Sequence, residues 1–140
     1  MLSDLRPTYP KPHLLPLPKL GASDIGYITV VEQQYVPFAI ARTFWTYYTP
    51  ESIVRGRHAH HRTEQVLMAL AGRIIVMTEQ ADGTLDTFRL ESPDTGLYIP
   101  PNVWHTMQYS HTAVQLVLAS TPYDADDYIR DYEQFRRVWQ

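Results

Sequence analysis

Cysteine is absent from the 140 residues. That absence excludes disulfides, thiolate metal sites and a catalytic thiol together, and it fits a reducing compartment. Long apolar runs are missing as well, since nothing approaches the roughly 20 residues a membrane-spanning helix needs. Met1 to Leu20 lacks the charged start and apolar core of a secretory leader. Pro7, Pro10, Pro12, Pro16 and Pro18 break every candidate helix there. A soluble, cytoplasmic protein is expected. Charge of one sign is scarce too: the formal net charge is -3, which gives no electrostatic reason to expect a nucleic-acid partner.

What is present reads as one globular domain. At 140 residues the chain is long enough to bury roughly 70% of its unfolded surface. Hydrophobic residues make up 44% and charged residues 19%, a balance that argues against disorder. Residues 1–20 form a proline-rich extended arm or coil, and residues 21–140 a single domain including a C-terminal helix. Short strands are expected at Tyr27–Glu32, Phe38–Tyr48, Gln65–Ala71, Arg73–Glu79, Leu85–Leu90, Leu97–Ile99, Trp104–Tyr109 and Ala113–Ala119, where valine, isoleucine, threonine and aromatics dominate. Turn chemistry separates them at Gly72, Asp82-Gly83, Ser92-Pro93-Asp94 and Pro100-Pro101-Asn102. After Ser120, Tyr128, Ile129, Tyr132, Phe135 and Val138 recur at helical spacing. Asp124, Asp126 and Asp127 before them, and Arg136-Arg137 near the end, suit the dipole of one helix. About eight short strands in this length predict an all-β barrel or double sheet enclosing a cavity for one small ligand.

The chemistry concentrates in Arg55-Gly56-Arg57-His58-Ala59-His60-His61-Arg62-Thr63-Glu64-Gln65. In a strand, residues two apart share a face, so His58 and His60 project together. Imidazole exchanges protons or binds metals near neutral pH, and the pair alone leaves both roles open. His58-x-His60 with Glu64, followed at a distance by His105 after Gly96…Pro100-Pro101, has the spacing of the two cupin motifs, whose residues converge inside a jelly roll. His61, His13 and His111 are expected to be solvated, and Met107 to be core. Trp104 and Tyr109 flank His105 and are candidates to stack on a base or sugar. Of Arg55, Arg57, Arg62 and Arg73, Arg55 is the candidate for holding a diphosphate, through its fork of donors beside the histidine pair. Gln65 is a candidate donor to a ligand.

Arg55-Gly56-x-His58-Ala59-His60, Gln65-Val66-Leu67, Gly96-Leu97-Tyr98-Ile99-Pro100-Pro101 and Trp104-x-x-Met107 resemble the small cupin sugar-nucleotide 3,4-ketoisomerases. Leu116-Val117-Leu118-Ala119-Ser120, Tyr123-Asp124 and Asp127-Tyr128-Ile129-Arg130-Asp131-Tyr132 extend the similarity over roughly residues 24–135. The resemblance implies a dTDP-4-keto-6-deoxyhexose as substrate, whose carbonyl moves from C4 to C3. It implies no metal or other cofactor, a homodimer formed by exchange of N-terminal strands, and products that feed amino-sugar synthesis for surface polysaccharides. It implies His58 as catalytic base, His60 as its helper, and His105 as the histidine of the subgroup giving galacto-configured products. The chain departs from the family at Phe44, where a tyrosine is common, and at Ile25, where the galacto-type subgroup carries arginine.

Two alternatives stand beside this one. In the first, His58, His60, Glu64 and His105 bind a divalent ion in a metal-dependent cupin. In the second, the protein is a non-catalytic sugar-nucleotide binding module.

Overall fold

The computed structural model describes residues 8–138. Two five-stranded sheets lie face to face. The strands are β1 (His13–Pro16), β2 (Lys19–Ala22), β3 (Gly26–Thr29), β4 (Arg42–Tyr47), β5 (Val54–His60), β6 (Gln65–Ala71), β7 (Ile74–Glu79), β8 (Leu85–Leu90), β9 (Thr95–Ile99), β10 (Trp104–Tyr109), β11 (Val114–Ala119) and β12 (Tyr128–Ile129). One sheet runs β1-β9-β6-β11-β4, the other β12-β5-β10-β7-β8, and β2-β3 form a separate hairpin. Among the described residues one α-helix, α1 (Tyr132–Val138), follows. This is the jelly-roll arrangement expected. Leu67, Ala69, Ile74, Val76, Leu97 and Val117 fill the space between the sheets, because alternation along each strand turns every second side chain inward.

Part of the expected arm is a strand. His13–Pro16 pairs with β9 at the edge of the first sheet, a position where proline's missing N–H is tolerated. Residues 1–7, Pro7 among them, lie outside the described residues. The expected C-terminal helix is shorter than its periodicity suggests. A 3₁₀ turn (Ala125–Asp127) and β12 take its first half, because pairing of β12 with β5 and burial of Ile129 against Ala59 and Phe135 outweigh local helical spacing. α1 then caps the outer face of the second sheet, Phe135 against Ala59 and Ile129. Among the described residues, no helix is long and apolar enough to cross a membrane.

Candidate functional site

Three histidines meet where β5 and β10 run side by side. His58 and His60 project from one face of β5, and His105 on β10 stands opposite His58 in the ladder. Ring centroids are 4.7 Å apart for His58–His105, 5.0 Å for His58–His60 and 6.2 Å for His60–His105. One ring nitrogen of each lies within 4.8 Å of those of the other two. His105 Nδ1 is 3.1 Å from the Val103 carbonyl oxygen. A carbonyl only accepts, so Nδ1 carries the hydrogen and Nε2 the lone pair.

Burial sets the charge state. Desolvation lowers the pKa of His58, against a hydrogen bond to the Gly56 backbone and with help from the nearby Arg130 charge. His60 is pushed down to about 4, by desolvation and by His58, although Asp127 opposes the shift. His105, buried completely, falls well below the ordinary histidine value through desolvation and its two histidine neighbours. All three rings are therefore neutral near pH 7, with lone pairs free to accept protons.

His58 and His105 open onto a cavity of about 220 Å³ between the sheets. A bulge in β5 decides what shares it with them. His105 pairs with His58 but the next residue, Thr106, pairs with Gly56, which leaves Arg57 without a partner. One extra residue shifts the alternation, so Arg55 and His58, three apart, both face inward. The bulge needs positive φ at Gly56 (84°) and Arg57 (59°). It also needs Gly56 for space, since a Cβ there would stand 2.8 Å from the His105 carbonyl oxygen.

Of the expected site residues, His58, His105, Arg55, Gln65 and Tyr109 line this cavity. His60 stands behind His58, 2% exposed. The structure does not bring Trp104 there: it points the opposite way from His105 on the same strand and packs on Tyr132 and Phe135, with centroids at 5.4 and 5.8 Å. Nor does Glu64 join the histidines. Its carboxylate accepts from the Tyr98 hydroxyl at 2.7 Å, and among the described residues the group close enough to share an ion is the three histidines alone. His13, expected in solvent, rests on Tyr98 with centroids 5.3 Å apart, whereas His111 is exposed.

Sequence reasoning missed four polar residues of the cavity wall, Thr46, Gln115, Tyr128 and Arg130. Tyr128 on β12 covers the histidine pair, its ring 4.4 Å from His60 and 5.1 Å from His58. Arg130 lines the cavity and stacks on Tyr128 at 4.3 Å. The spacing of Tyr128 and Arg130 about the apolar Ile129 is the period-two signal that helical periodicity concealed. Gln115, on the opposite sheet, accepts from the Tyr109 hydroxyl at 2.7 Å, and its buried amide nitrogen has no partner among the described residues. Burial pushes the Tyr109 hydroxyl up to about 12, so it remains a donor.

Comparison with known proteins gives a consistent picture. The profile of the family described as FdtA, WxcM-like, C-terminal, matches residues 11–140. A TDP-4-oxo-6-deoxy-alpha-D-glucose-3,4-oxoisomerase from Aneurinibacillus thermoaerophilus is 39% identical over 111 residues, 79% of each chain. The crystal structure of QdtA, a sugar 3,4-ketoisomerase from Thermoanaerobacterium thermosaccharolyticum in complex with TDP, superposes with a TM-score of 0.86 at 33% identity, covering 91% of this chain and 93% of that one. The WlaRB TDP-quinovose 3,4-ketoisomerase from Campylobacter jejuni superposes with a TM-score of 0.84 at 36% identity, covering 90% and 97%.

Proposed function

The chain belongs to the FdtA (WxcM-like, C-terminal) family, and from that membership we infer that it is a sugar-nucleotide 3,4-ketoisomerase, moving the carbonyl of a dTDP-4-keto-6-deoxyhexose from C4 to C3. The C4 ketone acidifies the proton on C3. His58 removes that proton as a neutral base, giving an enediolate, and returns a proton to C4. The second hydrogen must pass between the two oxygens, from O3 to O4, and His105 at the cavity wall accepts and donates it. His60, behind His58, is the helper, a neutral ring beside the base. Carbon and oxygen oxidation states are exchanged within one molecule, so no redox cofactor enters the balance.

The observation that carries this reading is the facing pair of His58 and His105 on the cavity, both neutral near pH 7. Arg55 supports the hold on the diphosphate, joined by Arg130. Gln65, Tyr109 and the free amide of Gln115 offer donors to sugar oxygens. Incubation with dTDP-4-keto-6-deoxyglucose in deuterated water, followed by NMR, tests the proposal and gives the configuration at C4. The wild type exchanges the C3 hydrogen. His58→Asn, with its fold intact by circular dichroism, does not; undiminished exchange in that variant removes His58 as base.

The working assembly is a homodimer that exchanges N-terminal strands, built on one cupin domain. Support comes from the hairpin β2-β3, which leaves Leu20, Tyr27 and Ile28 more than half exposed. A groove of about 360 Å³ lies between it and the first sheet, lined by Met68, Leu70 and Leu116.

A further inference from the structure

We propose that Asp127 is a positioning residue for His60, fixing which ring nitrogen carries the hydrogen and keeping the bare one turned toward the histidine cluster. The inference rests on the ketoisomerase reading above, in which His60 serves His58, and it gives the Asp127-Tyr128-Ile129-Arg130 segment a chemical reason.

Asp127 closes the 3₁₀ turn Ala125–Asp127, whose entry is capped by the Asp124 side chain accepting from the Asp126 N–H. The residue is 3% exposed, a place where a carboxylate persists only with partners. It has them on both oxygens. Oδ1 accepts from the Arg62 backbone N–H at 2.7 Å. Oδ2 accepts from the Thr63 N–H at 3.2 Å, from the Thr63 hydroxyl, and from His60 Nδ1 at 3.2 Å. The Asp127 carbonyl also accepts from the His61 N–H at 2.9 Å. An ionised carboxylate only accepts, so the His60 Nδ1 must hold the hydrogen. Burial pushes the carboxyl up, but the bonds from Thr63 and Arg62 outweigh it and keep Asp127 ionised.

The other ring edge is the informative one. His60 Nε2 is buried and has no partner among the described residues. A buried histidine that serves packing alone ordinarily satisfies both nitrogens. Here one is anchored and the other held open, with Tyr128 fixing the ring plane from the adjacent residue at 4.4 Å. The bland alternative is that Asp127 merely staples the turn at His61, Arg62 and Thr63, with His60 an incidental neighbour.

Asp127→Asn in the full-length protein separates the two. The amide keeps the shape but offers one acceptor oxygen in place of two, and its NH2 can donate to Nδ1. In ¹⁵N-histidine NMR the wild-type His60 carries its hydrogen on Nδ1, and the variant moves it to Nε2. The expected kinetic effect is a fall in kcat of about 10–100-fold, the range for partners that orient a functional histidine, with KM unchanged. In a His60→Gln background, Asp127→Asn lowers kcat no further, because Asp127 acts through that ring. Thr63→Val removes one staple contact and keeps the carboxylate; it lowers Tm without moving the tautomer or kcat. An equal loss of kcat from Asp127→Asn with or without His60 overturns the proposal, as does a kcat loss in Thr63→Val matching that of Asp127→Asn. Should Asp127→Asn fail to fold, the wild-type spectrum decides, since hydrogen on His60 Nε2 also overturns it. Full activity in His60→Gln, with the tautomer still governed by Asp127, would instead remove His60 from the reaction and leave the positioning intact.

Discussion

At His58, His60 and His105 the folded protein disfavours the charged ring, so each binds its proton at lower pH than it does in the unfolded chain. The unfolded state protonates near 6.5. Below that pH it gains protons the native state refuses, so stability is fully present above about 6.5 and is lost as pH falls. For His60 the loss continues down to about 4, at roughly 1 kcal/mol per pH unit. Thermal melts should be flat above pH 7 and decline steadily from 6.5 toward 4, with His60→Gln flattening the decline. A Tm independent of pH across that window would contradict the burial described. Catalysis should follow the same sign. A base with a lowered pKa stays unprotonated in mild acid, so the acid limb of kcat/KM lies below 6.5. The identity of these residues was legible because His-x-His alternation is a local signal. That His60 lies behind His58, and that Trp104 turns outward while His105 turns inward, follows from the sheet on which each strand lies.

Gly56 is tightly constrained on the histidine strand. A methyl there meets the His105 carbonyl at 2.8 Å, and the residue must also keep φ at 84°. Gly56→Ala should cost roughly 2–4 kcal/mol by overpacking and backbone strain. It should also depress kcat/KM, because the bulge sets both Arg55 and His58; urea denaturation and steady-state kinetics check the two effects. Full stability with full activity would mean the bulge tolerates a side chain. Strands β6, β8 and β10 were readable from their residues alone, with both ends placed as expected. The histidine strand itself was not among the expected strands. Arg-Gly-Arg-His-Ala-His is polar and its bulge breaks the period of two, so no strand pattern survives in Val54–His60. β1 was concealed by prolines that an edge position accepts, and β12 by a helical spacing that pairing with β5 overrode.

For the whole molecule, alternating short strands and turns were enough to predict an all-β barrel or double sheet, since two sheets are the compact way to bury so many half-apolar strands. The cupin spacing of the histidines added the jelly roll. Which residues wall the cavity depended on long-range pairing that no local pattern encodes, as Gln115 and Arg130 illustrate. The exposed apolar hairpin gives the prediction at this scale. Sedimentation should find a dimer at micromolar concentration, and Tyr27→Asp with Ile28→Asp should shift it toward monomer by placing charge in the contact. A wild-type monomer would refute the strand-exchanged assembly. One further consequence follows from Tyr128 and Asp127 lying against β5. Between His60 and its carboxylate partner the chain runs 67 residues. At about 5–20 residues per second of synthesis, roughly 3–13 s separate their appearance from the ribosome. During that interval the histidine strand has neither its roof nor its anchor.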